Sequence, residues 1–200
     1  IITFTNVFAH IEDLESLLNS LKTLINKKTK IIIENHYLGS VLRQNQFDTF
    51  YHEHPRTYSF KSFYAISKRL GLNIESVEFP KRYGGNIRVI LGSNDMADID
   101  YFLNDELEFQ NDFKKMKDFI SVWKSNKKDE LISIVDKEGP IIAKAFPGRA
   151  AILTKLLELN TEIIQSTYEK PGSMKIGHYI PGTHIPIKSD TELFKYSINS

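Results

Sequence analysis

The sequence predicts an α/β fold, and two observations support this. A short β-branched and aromatic run at residues 1–5 is followed by apolar residues at helical spacing and by a second apolar run at residues 29–34. The order of strand, loop, helix and strand recurs over residues 140–168. We therefore expect a larger unit over residues 1–137 and a smaller α/β unit over residues 138–200. Because no low-complexity linker separates them, the two should pack together.

The pattern of apolar residues over residues 1–34 predicts a strand, a helix and a second strand. Residues 1–5, IITFT, are typical of a buried strand, and residues 29–34, TKIIIE, predict a second one. Between them, apolar residues from Ile11 to Ile25 recur with the period of a helix. The short connections indicate a parallel pair with a right-handed crossover. Acidic residues in the first helical turn and basic residues at its end suit the helix dipole: Glu12, Asp13, Lys27 and Lys28.

The middle of the chain predicts a loop, a helix, two inserted strands and a long helix. Loop-like sequence precedes Ser59, which is suited to cap a helix that runs to Leu70 and ends at Gly71. Residues 72–79 and 86–91 predict strands. Apolar spacing then indicates long helical sequence across residues 105–137.

Composition narrows the classes of function. With 26 basic and 25 acidic residues, the chain has no strong net charge to attract nucleic acid or an anionic membrane. No apolar run is long enough to span a bilayer. The absence of cysteine excludes disulfides and thiolate metal sites here and fits the reducing cytoplasm. We expect a cytoplasmic protein that binds neither nucleic acid nor membrane. Because residue 1 opens directly into a strand, we also expect a preceding segment of the same protein.

The segment FDTFYHEHPRTYSF, residues 47–60, concentrates groups that can transfer protons. Four of them are consecutive: Tyr51, His52, Glu53 and His54. Histidine is the side chain best suited to accept a proton near neutral pH, and a carboxylate or phenol beside it can orient it. In a straight strand the two histidines would share one face and their neighbours the other. We therefore expect a turn or bulge within residues 51–55, encouraged by Pro55.

Other interpretations of these residues stay open. A His-x-His pair can chelate zinc, although no third ligand is close in sequence. The same side chains also suit the polar surface of a packed loop. Asn6 and His10 follow the first strand, at the sheet edge where ligands bind in open α/β folds. Taken alone, Asn6 is better explained as a turn residue and His10 as a helix-start residue.

Three stretches together resemble a known family. NVFAHI, FDTFYHEHPRTYS with YGGNIRV, and GHYIPGTHIPI occur in the order and approximate spacing found in S-adenosylmethionine-dependent sugar C-methyltransferases. Those bacterial enzymes methylate nucleotide-linked keto-deoxysugars. The resemblance extends from Asn6 to Ile187. It implies the later strands of a class I methyltransferase Rossmann-like sheet followed by a smaller C-terminal α/β unit. It also implies S-adenosyl-L-methionine as the methyl donor and a nucleotide sugar as the acceptor.

The resemblance also implies roles for single residues. His54 resembles the base that removes a proton from carbon 3 of a 4-keto sugar, and Tyr51 and Glu53 resemble its assistants. His10 resembles a further active-site histidine, and Asn6 is the cofactor-binding candidate of the same element.

Substrate-binding candidates come from the C-terminal unit. The turn KAFPGRA places Gly148 and Arg149 before a helix, a geometry suited to anions, although an exposed first-turn arginine is an equally good explanation. His184 in PGTHIPI is a third candidate, and anchoring of its loop by hydrogen bonds is the plainer explanation for it.

Departures from the family keep the function open. The family's glycine-rich cofactor loop and its cysteine-rich zinc-binding region would precede residue 1, so zinc is expected only there and not in this chain. The family's final strand, expected after DTELF, is missing or altered at KYSINS. Two alternatives therefore remain: an O-methyltransferase acting on capsule or surface-glycan precursors, and a non-catalytic nucleotide-binding module.

Overall fold

A computed structural model describes residues 1–96 and 98–196, and the chain divides into two compact units. Unit 1 comprises Ile1–Phe119 and unit 2 comprises Ile120–Ser200. The division falls within a long helix, and the sequence-based boundary after residue 137 stays a prediction.

Unit 1 is built around a four-stranded mixed sheet. Its strands and helices, in chain order, are β1 (Ile2–Thr5), α1 (Leu14–Leu24), β2 (Ile31–His36), α2 (Leu38–Arg43), α3 (Phe60–Leu70), β3 (Asn73–Glu78), β4 (Asn86–Gly92), α4 (Ile99–Asp105) and the first part of α5 (Phe109–Glu138).

The sheet order is β1-β2-β4-β3, and one strand runs against the others. β1 and β2 pair in parallel, which confirms the predicted unit, whereas β4 is antiparallel to both of its neighbours. Because β4 is reversed, its first residue, Asn86, lies opposite His36, the last residue of β2. The loop that enters β4 therefore reaches the edge of the sheet where β1 and β2 end.

The core of unit 1 lies between the sheet and the apolar faces of α1 and α3. β2 is largely buried along its length, and Ile31 and Ile33 are fully buried. The fully or almost fully buried apolar side chains include Leu18, Leu21, Ile31, Ile33, Phe60, Phe63, Ile87 and Val89.

The predicted cap residues of α3 are confirmed. The Ser59 side chain accepts a hydrogen bond from the Ser62 N–H, and the two serines form a reciprocal capping box. Gly71 ends the helix with a φ of 68°, in the left-handed region that glycine favours.

Three local predictions were wrong. β1 was expected to be buried, but its residues alternate between half-buried and exposed, because among the described strands β1 pairs only with β2. α1 begins later than expected: Asp13 is its N-cap, so Glu12 precedes the helix, and Lys27 and Lys28 lie beyond its end. The sequence before Ser59 is not all loop, because α2 forms there and buries Val41 and Leu42.

Unit 2 contains a parallel sheet of order β5-β6-β7. After the end of α5 its elements are β5 (Ile141–Lys144), α6 (Ala150–Leu156), β6 (Ile164–Glu169), β7 (Ile187–Ser189) and α7 (Thr191–Tyr196). The predicted strand, helix and strand are confirmed. The sequence predicts that the family's final strand is missing or altered at KYSINS: residues 195 and 196 belong to α7, and residues 197–200 lie outside the described part.

No helix in the described ranges combines the length and the apolar character needed to cross a membrane.

Candidate active site

Residues 51–55 form the turn that the sequence predicts. The His54 N–H donates to the carbonyl oxygen of Tyr51 over 2.9 Å. This folds the two side chains together, with their ring centroids 4.5 Å apart. The side chain of His52, by contrast, is 75% exposed. The turn thus separates the two histidines that a straight strand would have placed on one face.

The contacts of the His54 ring indicate which of its nitrogens carries the proton. Its Nδ1 lies 3.1 Å from the carbonyl oxygen of Thr49, and because a carbonyl only accepts, Nδ1 carries the proton. Nε2 of the neutral ring is then unprotonated, and it lies 3.5 Å from the Tyr51 hydroxyl oxygen. The same hydroxyl can donate to Glu53 Oε2 at 3.2 Å. Nε2 therefore has the Tyr51 phenol beside it, and the Glu53 carboxylate lies within hydrogen-bonding distance of that phenol.

Two further histidines meet His54, and we call the three residues, His10, His36 and His54, the histidine cluster. The His10 ring lies 4.8 Å from that of His54, and its Nδ1 donates to the Glu53 carbonyl oxygen at 2.8 Å. The His36 ring lies 5.7 Å from that of His54. The cluster thus joins the carboxyl ends of β1 and β2 to the turn. The four predicted catalytic residues lie together, and their roles stay predictions.

His36 is the site residue that the sequence reasoning missed. It ends β2 within the stretch ENHYL, which follows a run of buried apolar residues. The rule that ligands bind beyond the carboxyl ends of parallel strands was the signal that could have found it.

A buried carboxylate network lies beside the cluster. Glu34, only 2% exposed, accepts hydrogen bonds from Arg82 Nε and Nη2 at 2.5 and 2.6 Å. Asn86 Nδ2 and Arg88 Nε each donate to it at 2.8 Å. The Arg82 hydrogen bonds, aided by those of Asn86 and Arg88, lower the pKa of Glu34 to about 2 against the opposing effect of burial. Glu34 is therefore a carboxylate anion throughout the physiological pH range.

Asn6 belongs to the same network. Its backbone has a φ of 52°, which turns the chain at the end of β1, and its N–H donates to the Glu34 carbonyl oxygen at 2.8 Å. Its Oδ1 accepts from Asn86 Nδ2 at 3.2 Å. A cofactor-binding role for Asn6 therefore rests on its place at the carboxyl end of β1, because its side-chain oxygen is already engaged.

The predicted substrate-binding residues lie in unit 2. Gly148 is half-buried and Arg149 is exposed, in the turn before α6. The first three amides of α6 already donate to backbone carbonyls, so they contribute little to binding an anion. These hydrogen bonds run from Ala150 to Pro147, from Ala151 to Gly148 and from Ile152 to Arg149, at 2.9, 3.3 and 3.1 Å.

The exposed His184 contacts the ring of Tyr179, with centroids 6.4 Å apart. Hydrogen bonds made by its neighbour hold the loop: Thr183 Oγ1 donates to the Ile180 carbonyl at 2.9 Å and accepts from the Ile185 N–H at 3.1 Å. The anchoring that was one explanation for His184 is thus seen at Thr183.

Within residues 1–96 and 98–196, no three His, Asp or Glu side chains are placed so that they could share a metal ion. The contacts within the histidine cluster are edge-to-face ring contacts.

Known families match both parts of the chain. Residues 81–197, more than half of the sequence, match the family described as C-methyltransferase C-terminal domain. The chain belongs to this C-methyltransferase family. Residues 1–77 of the C-methyltransferase chain match the family described as Methyltransferase domain, which confirms the predicted α/β fold. C-methyltransferase NovU of Streptomyces niveus is 35% identical over 82 residues, which cover 41% of this chain and 20% of that protein.

Proposed function

We propose that this protein is an S-adenosylmethionine-dependent C-methyltransferase that acts in the cytoplasm on a nucleotide-linked keto-deoxysugar. His54 is its general base. The observation that carries the proposal is the hydrogen bond from His54 Nδ1 to the Thr49 carbonyl, because it leaves Nε2 as the proton acceptor. Transfer to carbon rather than oxygen is favoured by the similarity to the C-methyltransferase family and to C-methyltransferase NovU.

Proton removal is the step that the chain's own residues support. A carbon-bound proton next to a ketone moves to His54 Nε2, and the electron pair is delocalised onto the ketone oxygen as an enolate. The imidazolium is stabilised by the Tyr51 hydroxyl oxygen at 3.5 Å, since that hydroxyl can direct its own proton to Glu53 at 3.2 Å. His10 is the candidate to stabilise the enolate oxygen. Its Nδ1 proton is already donated to the Glu53 carbonyl, so it would do so from Nε2 with both ring nitrogens protonated.

The methyl donor fits at the carboxyl ends of β1 and β2. Ligands bind at this edge in open α/β sheets, and the left-handed backbone of Asn6 turns the chain away there. When bound, S-adenosylmethionine supplies an electrophilic methyl group for the carbanion. Asn6 would border it, and the amides and carbonyls of residues 7–10 lie next in sequence.

Recognition of the acceptor involves unit 2 in this proposal. Arg149 supplies a cation for an anionic part of the acceptor, and Gly148 and His184 belong to the same set of candidates.

Isotope exchange in the full-length protein tests the proposal. We compare His54→Asn with His52→Asn, a matched control from the same turn whose side chain is 75% exposed. His54→Asn should slow deuterium exchange at carbon 3 of a 4-keto nucleotide sugar by about 10²–10⁴-fold, the usual contribution of a general base. His52→Asn should change it little, and cofactor affinity should persist in both. If His54→Asn exchanges the carbon 3 deuterium at the wild-type rate, His54 is not the general base. A methoxy group in the product, seen by NMR, would refute carbon methylation.

A further inference from the structure

An exposed tyrosine lies at the border of the histidine cluster. Tyr83 belongs to the loop of residues 80–85, PKRYGG, that enters β4. Its ring centroid lies 6.4 Å from that of His36, although its side chain is 65% exposed. Burial of the ring therefore explains little of its placement.

The backbone of Tyr83 is in a conformation that non-glycine residues rarely adopt. Its φ is 55°, and Gly84 and Gly85 follow with φ values of 81° and 113°. Such a conformation costs free energy and persists where the surrounding structure imposes it, which is common at functional sites.

The surrounding structure does impose it. Arg82, the residue before Tyr83, makes two hydrogen bonds to the buried Glu34. On the other side, Gln46 Nε2 donates to the Gly84 carbonyl at 2.8 Å, and the Tyr37 N–H donates to the Gly85 carbonyl at 3.2 Å.

The loop also packs closely against α2. A Cβ at position 85 would lie 2.5 Å from Ser40 Oγ, so the chain approaches α2 where only glycine fits. The loop is thus held from β2 and from α2, and both sets of contacts fix the position of the residue between them.

We propose that Tyr83 is a further acceptor-binding residue, and that Glu34 and Arg82 are positioning residues that hold its ring against His36. The inference rests on the proposed function in one respect, that the acceptor binds at the histidine cluster. Tyrosine offers an apolar ring face and a polar hydroxyl, which suits the mixed C–H and hydroxyl surface of a sugar. The bidentate hydrogen bonds matter because they fix the direction of the arginine as well as its distance.

The test uses Tyr83→Ala, Arg82→Lys and the double variant in the full-length protein. Lysine keeps the charge but cannot reproduce the two parallel hydrogen bonds, and residue 82 lies at a half-exposed position where folding should survive. Tyr101→Ala is the matched control, since Tyr101 is 70% exposed and its ring contacts Phe102 instead of the cluster.

The first readout needs no activity. In the protein without substrate, NMR signals of the His36 ring should shift in Tyr83→Ala and also in Arg82→Lys, but not in Tyr101→Ala. An unchanged His36 signal in Arg82→Lys would show that the arginine does not position the tyrosine, and would overturn the inference.

The second readout is kcat/KM for the acceptor. Tyr83→Ala should lower it by roughly ten- to a hundredfold, the range expected when a substrate-positioning contact is lost. Its effect should fall mainly on KM for the acceptor, with KM for S-adenosylmethionine unchanged. The double variant should be no worse than Tyr83→Ala, because without the ring Arg82 has nothing to position. Additive losses would overturn the inference. If the wild-type protein methylates no keto nucleotide sugar, the proposed function fails, and the His36 signals still decide whether Arg82 holds Tyr83.

Discussion

Replacing Glu34 by glutamine should destabilise unit 1 markedly. The substitution keeps the shape of the side chain but removes its charge. It also turns one acceptor oxygen into an NH₂ group that faces donors. Arg82, Asn86 and Arg88 all donate to this carboxylate, so at least one donor loses its partner in a buried place.

The magnitude follows from the pKa of the carboxyl group. Its displacement from 4.5 to about 2 corresponds to about 3 kcal/mol, since each pKa unit is worth about 1.4 kcal/mol. Solvent screens part of this because Arg82 is half-exposed, so we expect a loss of about 2–3 kcal/mol at pH 7. For a chain of this size that lowers the Tm by about 4–12 °C.

Thermal unfolding followed by circular dichroism at several pH values measures this. A lowered pKa in the folded state stabilises the protein above the unfolded value near 4.5, and the stabilisation is lost as the pH falls through about 2. The gap in Tm between wild type and Glu34→Gln should therefore be full at pH 7 and shrink as the pH falls from 4.5 towards 2. Glu78→Gln is the matched control: Glu78 pairs with Arg88 at 2.6 Å but is mostly exposed, so its loss should cost less than about 1 kcal/mol. Equal Tm values for wild type and Glu34→Gln at pH 7, or a gap that does not depend on pH, would refute the reasoning.

Two further predictions concern single positions elsewhere. Gly71→Ala should lower the free energy of unfolding, measured in urea, by about 1 kcal/mol, because alanine is strained in the left-handed conformation. The added Cβ would meet no atom within 4 Å, so no steric clash adds to this loss. An unchanged free energy of unfolding would mean that the end of α3 rearranges freely. Arg149→Ala should raise KM for the acceptor with kcat nearly unchanged, as for a contact shared by ground and transition states. If KM stays the same across a salt titration, Arg149 is a solvated surface residue.

The parts of the fold that were predictable carry strong local signals. Ser59 and Gly71 could be assigned as caps because a hydroxyl that accepts from the first turn and a left-handed glycine are local features. The turn at residues 51–55 was also predictable, since only a bend allows Tyr51 and His54 to meet. By contrast, α2 has six residues, a glycine at its second position and no side-chain cap, so burial of Val41 and Leu42 stabilises it without a local signal.

The site residues that could be predicted are those that lie in short stretches rich in groups that can transfer protons. His10, Glu53 and His54 were found because they lie in recognisable stretches. His36 was not assigned to the site, although its position at the end of β2 could have indicated it, whereas the placement of Tyr83 depends on strand pairing. Tyr83 lies 47 positions after His36 in sequence, and the reversed direction of β4 brings the two rings together.

The reversed strand also has a consequence for the order of folding. A short loop joins β3 to β4, and residues 6–30, which include α1, join β1 to β2. Pairing β2 with β4 closes a longer loop, and Glu34 and Arg82, which meet there, are 48 positions apart. Asn6 and Asn86 are 80 positions apart. Because the entropy of closing a long loop is lost before its contacts form, we expect the two strand pairs to form early and β2 and β4 to pair last. The histidine at the end of β2 and the loop entering β4 come together only in that step. A chain in which β2 and β4 have not yet paired would have much of its secondary structure and no assembled site.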